Sequence, residues 1–283
     1  MSLRANIAFG MKWGSVSLIL VRVTRILTMI ILARLLTPEI FGVFAIASTA
    51  IHTFTVIREI GFGAAYIQRI DQDEQDGQIA INTAFIFILI TDLLMFLAVF
   101  AGSNFIASFF DTPKLTLVLK VMAILFLFEP LISISRAILT KRLAFGKLAG
   151  AEIVEILIYS FVAITLAATG FEIWGLIFGL IVSKLSICIL QVKLSRWRPG
   201  FQIKLETAKE LFGFGKFMWA FGTLSAIGGA LDRVIIGKYW GTVNLGYYHL
   251  AFNLCNLPAS AFSMLINKIT FPVFSKLQDD AER

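Results

Sequence analysis

Apolar residues run along this chain in stretches long enough to cross a bilayer, separated by short breaks that hold most of the charge. A spanning helix needs roughly 20 apolar residues. Eight stretches meet that length, at about 12–35, 41–66, 79–101, 115–139, 149–169, 173–192, 214–236 and 244–270. The pattern predicts an all-α integral membrane protein of about eight transmembrane helices. Arg4 and Lys12 precede the first stretch, but Arg22 and Arg25 interrupt it and no clear small-residue cleavage site is present. It therefore reads as a span and not as a signal peptide.

Composition agrees and narrows the classes. The chain is 58% hydrophobic and 15% charged, with a mean hydropathy of +0.85, whereas soluble chains are about a quarter charged. Eight spans leave no residues among the 283 for an attached soluble catalytic domain. The net charge of +7 would suit nucleic acid, but the positive residues lie between the apolar stretches. Fourteen Lys and Arg fall in breaks on the side of the N-terminus, against Arg34, Lys114 and Lys238 on the other. The positive-inside rule places the N-terminus in the cytoplasm, and an even number of spans returns the C-terminus there. The longest break, Gln191 to Lys216, contains Pro199 and Gly200 and separates six stretches from two. It reads as an inter-lobe linker, giving a first lobe at 1–192, a cytoplasmic linker at 193–213 and the start of a second lobe at 214–283. Within it, Lys193, Arg196, Trp197 and Arg198 suit an anchor at headgroup level. Topology charge alone accounts for them equally well.

The chain also echoes itself. Arg34 to Ala47 aligns without gaps on Lys238 to Ala251, at an offset of 204 residues, pairing Arg34 with Lys238, Phe41 with Leu245, Gly42 with Gly246 and Ala47 with Ala251. Phe9-Gly10 echoes Phe214-Gly215 upstream. A shared glycine at this place would let the chain turn tightly and re-enter the membrane. Six spans lie within the offset, so both copies enter in the same direction. Parallel six-helix repeats are a transporter architecture, with substrate held between lobes that rock. On this reading the chain holds one six-helix lobe and the first two helices of a second, parallel lobe, with four more helices expected.

Charges within the stretches mark candidate chemistry. Arg22, Arg25, Asp92, Glu129 and Lys184 fall near mid-depth, where each would cost about 2.5 to 3.5 kcal/mol facing lipid. They are expected to face protein or water. Arg58, Glu59, Arg136, Glu152, Glu155, Asp232, Arg233 and Lys268 lie nearer span ends, and Arg58, Arg233 and Lys268 can equally serve as snorkelling anchors. Arg22 and Arg25, three apart, share a helix face with Thr28 and Met29, and two like charges together favour an anion between them. Guanidinium suits phosphate because its planar fork donates in pairs. Pairing of each with Asp92 or Glu129 on a neighbouring helix stands beside that reading. Glu129-Pro130 joins a carboxylate to a helix breaker, with Ser133 and Arg136 on the same face. Glu152 and Glu155 share a face with Tyr159. They could carry a proton, or be neutralised by Lys147 or Arg142.

Other motifs carry less. Gly175, Gly179 and Ser183, and Gly222, Ala226 and Ala230, form small-residue faces for close helix packing. Asn253, Asn256, Pro258 and Asn267 could line a polar cavity or bridge helices. Cys188 and Cys255 read as small buried hydrophobes, and His52 and His249 have no partners at metal spacing. Asp71, Asp73, Glu74 and Asp76 form an acidic break that reads as a solvated loop before it reads as a metal-nucleotide site.

Taken in order, Leu35-Leu36-Thr37-Pro38-Glu39-Ile40-Phe41-Gly42-Val43-Phe44, the Gly61 to Arg69 stretch, Arg142-Leu-Ala-Phe145, Leu231-Asp232-Arg233, Leu245-Gly246-Tyr247-Tyr248 and Phe271-Pro272 resemble the polysaccharide transporter branch of the multidrug/oligosaccharidyl-lipid/polysaccharide flippase superfamily. The resemblance covers essentially the whole chain. It implies a two-lobe fold that carries undecaprenyl-diphosphate-linked oligosaccharide repeat units across the bacterial inner membrane, without enzymatic chemistry. It implies a cation-lined cavity, for which Arg22, Arg25, Lys184 and Arg136 are candidates. Coupling to H+ or Na+ would fall to Asp92, Glu129, Asp232, Glu152 and Glu155, with no bound cofactor. Polysaccharide polymerase and chain-length machinery are the implied partners. Two alternatives remain at this stage: a drug or organic-cation antiporter of the same superfamily, and a polytopic membrane enzyme acting on lipid-linked sugars.

Overall fold

A computed structural model describes residues 3–70 and 73–256, with side chains throughout except at 3–16, 74 and 214–218. The described residues are helical, with short turns between helices and no strand among them. In chain order the helices are α1 (Leu3–Leu35), α2 (Pro38–Arg58), α3 (Phe62–Gln68), α4 (Glu74–Phe109), α5 (Lys114–Ala123), α6 (Leu125–Lys141), α7 (Phe145–Ala168), α8 (Ile173–Ser195) and α9 (Leu205–Tyr239). Residues 241–256 form a further helix, α10. Among the described residues, six segments are long and apolar enough to cross a membrane: Pro38–Arg58, Gln75–Phe109, Lys114–Lys141, Phe145–Ala168, Ile173–Ser195 and Trp219–Tyr239. The chain is a multi-pass, all-α membrane protein. The predicted stretch at 12–35 forms α1 but is not one of the six, and 257–270 of the eighth stretch lies outside the described residues.

Two predicted spans are broken. The second stretch forms α2 and α3, parted at Glu59 to Gly61, where Gly61 takes φ 85° in the left-handed region that glycine enters freely. The break frees backbone groups, and the Trp219 indole N–H of α9 donates to the Ile57 carbonyl. The fourth stretch parts at Ile124 between α5 and α6, with Pro130 carried inside α6. Elsewhere local chemistry sets the ends. Pro38 opens α2 with Glu39 in its first turn, placing a ring without an N–H and a negative charge where a helix start favours both. Asp73 caps α4 by accepting from the Asp76 backbone N–H at 2.7 Å.

The helices alternate in direction, so the α1–α2, α4–α5, α7–α8 and α9–α10 turns share one end of the bundle, termed the far end. The small-residue face of α8 packs on α7: a methyl group at Gly175 would lie 3.0 Å from the Ala167 nitrogen, and one at Gly179 the same distance from the Ala163 methyl.

In the segment after α8 the Trp197 indole turns into the bundle, while Arg196 and Arg198, with Lys193 of the last α8 turn, stay exposed. Trp197 is 5% exposed, its ring edge-to-face with Phe85 at 5.2 Å and its N–H donating to Asn82 Oδ1 at 3.4 Å. Gly200 approaches Asn82 so closely that a Cβ would fall 2.4 Å from the side-chain nitrogen, and the Lys204 N–H donates to Thr83 at 3.2 Å. This corrects the anchor reading for Trp197: an indole whose N–H finds a partner inside the bundle gains more from burial than from the interface. Trp197→Ala is expected to lower stability by about 3 to 5 kcal/mol, measured by thermal unfolding in detergent.

Glycine in the repeat also acts differently from the tight-turn expectation. Gly42 and Gly246 lie inside helices and neither has positive φ. Each abuts the other repeat: a Cβ at Gly42 would fall 1.8 Å from the Thr242 carbonyl oxygen, and one at Gly246 would fall 1.8 Å from that of Pro38. Pro38 and Thr242 are themselves equivalent in the repeat. The contact is therefore reciprocal, as between two copies related by a two-fold axis. Glycine is required because backbone meets backbone.

Candidate functional site

A cavity of about 830 Å3 lies between α1, α2, α6, α7, α8 and α10. Its walls divide by chemistry. Arg22 and Arg25 of α1 and Arg136 of α6 supply three guanidinium groups, and Glu152 and Glu155 of α7 supply two carboxylates. Neutral polar groups come from Tyr159, Ser183, His249, Asn253 and Asn256. Toward the far end the lining turns apolar, with Leu32, Phe41, Phe44, Leu176 and Leu250. Most of these belong to a hydrophobic cluster completed by Leu36, Ala163 and Ala167.

Helical period explains the placement. Arg22, Arg25 and Met29 recur at three and four residues and face the cavity together. Thr28 beside them donates to Ser160 of α7 at 2.6 Å, holding α1 on α7. Glu152, Glu155, Ile156 and Tyr159 do the same on α7. The His249 ring and the Asn253 amide are 3.0 Å apart, and His249 meets Phe44 edge-on at 6.4 Å.

Behind the cavity wall runs a chain of alternating charges. Arg58 Nε lies 2.9 Å from Asp92 Oδ1, and its Nη1 donates to Oδ2 at 3.2 Å. Arg58 Nη2 reaches Glu129 at 3.0 Å. Lys184 bridges Glu129 at 3.7 Å and Glu155 at 3.1 Å. Side-chain exposure falls to 5% at Arg58 and 1% at Asp92, while Glu155, at 24%, reaches the cavity. Five helices, α2, α4, α6, α7 and α8, are thereby tied by one network.

The network settles several sequence expectations. Arg58 is a buried junction and not an end anchor; the break after α2 turns its terminal residue inward. Asp92 and Glu129 pair with Arg58 and Lys184, so they are not the partners of Arg22 and Arg25. Glu155 is neutralised by Lys184, not by Lys147 or Arg142, whose Nη1 instead donates to the Ser195 carbonyl at 2.8 Å. Among the described residues, neither Arg22 nor Arg25 makes an ion pair. Asp232 lies away from the cavity on α9, accepting a hydrogen bond from the Tyr248 phenol of α10, and its neighbour Arg233 stands over the Phe252 ring at 4.6 Å. Sequence reasoning left Arg58 between anchor and ligand, and saw in His249 only a histidine without metal-spaced partners. The signal for Arg58 was Gly61 three residues on, a break that ends the span early.

The acidic stretch before α4 is also accounted for where it is described. Asp73 is the α4 cap, and both Asp76 oxygens accept from Arg69, at 2.7 and 3.0 Å. Those bonds, with Glu210 at 3.4 Å, raise the Arg69 pKa further above its ordinary value. Asp71 lies outside the described residues, and the side chain of Glu74 is likewise not described. Cys188 is buried, as expected, whereas Cys255 is exposed. Among the described residues no group of His, Cys, Asp and Glu is arranged to hold a metal ion.

Residues 31–283 match the family described as "Polysaccharide biosynthesis protein". The chain belongs to that family. The match takes in both repeat hairpins and the charge network. Relatives include the teichuronic acid biosynthesis protein TuaB of Bacillus subtilis, 27% identical over 97% of this chain and 56% of the relative. The lipopolysaccharide biosynthesis protein WzxC of Escherichia coli is 24% identical over 100% of this chain and 57% of its own length. The succinoglycan biosynthesis transport protein ExoT of Rhizobium meliloti is 27% identical over 92% and 52%. The chain thus spans about half the length of the curated relatives it matches. No solved structure matches it.

Proposed function

We propose that this protein is a flippase for anionic lipid-linked oligosaccharides, taking undecaprenyl-diphosphate-linked repeat units from the cytoplasmic to the outer leaflet of the bacterial inner membrane by alternating access. The observation that carries the reading is the pair Arg22 and Arg25, two guanidinium groups without a carboxylate partner among the described residues, facing one cavity beside Arg136. Two like charges one helical turn apart on the wall of an open cavity favour an anion between them, and a diphosphate accepts from both forks. Sugar hydroxyls both donate and accept, which suits the amides, imidazole and phenol on the remaining wall. Membership of a polysaccharide biosynthesis family and likeness to a protein named for succinoglycan transport support the same substrate class.

On this reading the near end of the bundle is cytoplasmic, as the distribution of Lys and Arg requires, and the cavity is loaded from that side. Glu155 and Lys184 join the cavity to the buried network, which makes Glu155 and Glu152 the candidates for exchanging a proton or sodium ion. Asp92 and Glu129 then hold the network in register, and Asp232 fixes the α9–α10 hairpin. Polymerase and chain-length partners would receive the product on the outer side.

Ligand charge separates this from an antiporter of organic cations. Undecaprenyl diphosphate added to the purified protein is expected to raise its unfolding midpoint by several degrees, and a tetraalkylammonium ion to leave it unchanged, since a ligand stabilises the state it binds. The reverse order would overturn the proposal. Asp73→Asn, which keeps the α4 cap, is expected to leave polymer export unchanged; complete loss of export would favour an enzyme.

A further inference from the structure

The reciprocal glycine contact lies directly above the apolar roof of the cavity, at the far end. Below it are Arg22 and Arg25. At the roof, Leu250 of α10 packs with Leu32, Phe41 and Leu176. Above the roof, the first turns of α2 and α10 cross with Gly42 on the Thr242 carbonyl and Gly246 on the Pro38 carbonyl. Beside the crossing, Lys238 at the end of α9 pairs with Asp111 in the α4–α5 turn at 2.8 Å, and a Cβ at Gly237 would lie 3.0 Å from the Phe110 ring. These contacts join the α9–α10 hairpin to α1 and α2, which precede it by six spans, and also to the α4–α5 turn and to α8.

We infer that this crossing is the far-side gate of the cavity: the α1–α2 and α9–α10 hairpins close it by meeting at Gly42 and Gly246, and part there to release the ligand. The inference rests on the alternating-access half of the proposed function and not on the identity of the ligand. Its chemistry suits a seam that opens. At the two glycines backbone faces backbone, so nothing interlocks at that point, and on either side Leu245 and Leu250 leave their apolar clusters when the seam parts. The flanking Lys238–Asp111 pair is exposed, at 32% and 80% for the two side chains, and such pairs exchange for water at little cost. The repeat explains why both residues are glycine. A two-fold contact uses the same position twice, and a side chain on either copy would keep the seam from closing.

The test is far-side access to the cavity. Met29, half-buried between Arg25 and the roof, is replaced by cysteine in a chain carrying Cys188→Ala and Cys255→Ala, and an impermeant maleimide is added from the side on which the α7–α8 turn emerges. Slow labelling is expected in the parent. Labelling at least tenfold faster is expected with Gly42→Ala or Gly246→Ala, where the added Cβ holds the seam apart. Should either glycine variant fail to fold, the exposed pair gives a second measure. Lys238→Asp is expected to speed labelling several-fold, and adding Asp111→Lys to bring it back to the parent rate. Far-side labelling unchanged in the folded glycine variants, or raised by Lys238→Asp and not restored by the charge swap, would overturn the gate. Because the assay contains no ligand, failure here leaves the anionic substrate standing.

Discussion

Replacing Arg22 and Arg25 together with glutamine is expected to abolish polysaccharide export while leaving the protein folded in the membrane. Hydrogen bonds to charged groups each contribute about 1.5 to 3 kcal/mol, so losing two forks on a diphosphate weakens binding by about 3 to 6 kcal/mol, or roughly a hundredfold to ten-thousandfold. Stability should hardly suffer, because neither side chain pairs with a carboxylate among the described residues, and removing two facing like charges relieves repulsion. Surface polymer in a strain lacking its own exporter is the readout, with the unfolding midpoint as the control. Normal export by a folded double variant would remove these residues from the site. Glutamine is chosen over alanine because it keeps the side-chain length and some donor capacity. A loss is then attributable to charge and bidentate geometry.

Arg58→Ala is expected to have the opposite profile: a large loss of stability whatever the ligand. The substitution strands Asp92, whose side chain is 1% exposed, and removes a partner from Glu129. Breaking a buried pair costs about 3 to 5 kcal/mol because the remaining charge is left uncompensated. Removing both charges avoids most of that cost, so Arg58→Ala with Asp92→Ala should be more stable than Arg58→Ala alone. Unfolding of the four proteins of the cycle measures the coupling directly. A coupling near zero would mean that the network is not held as described. The glycine at 61 gives an independent handle. Its φ of 85° disfavours any other residue, and Gly61→Val should displace Arg58 and reproduce part of the same loss.

How much of this was legible beforehand follows from the physics each feature obeys. Apolar stretches of spanning length are a one-dimensional signal, and they located the helices to within a few residues at most ends. The break at Ile124 is not a hydropathy signal, because its surroundings are as apolar as their neighbours, whereas the break at Gly61 follows the charged pair Arg58-Glu59 and was marked in the sequence. Arg22 and Arg25 were readable as a pair because helical spacing is local, and the cavity does gather them with Arg136, Glu152 and Glu155. Which carboxylate meets which cation was not readable, since pairing depends on helix neighbours. Arg58 took Asp92 and Glu129, and Lys184 took Glu129 and Glu155. The repeat was visible as Gly42 over Gly246, yet its reason was misplaced. A glycine in a sequence marks either a turn or a close approach, and the two are told apart by φ and by what a Cβ would strike.

Transbilayer movement in vesicles shows directly whether the cavity carries an anionic lipid-linked sugar across the membrane. The protein is reconstituted into liposomes holding a fluorescent undecaprenyl-diphosphate-linked sugar, and a membrane-impermeant reductant bleaches whatever label reaches the outer leaflet. Bleaching beyond the outer half is expected with the native protein, and only half with Arg22→Gln and Arg25→Gln together. Equal movement by both proteins, or none by the native protein, would contradict the account.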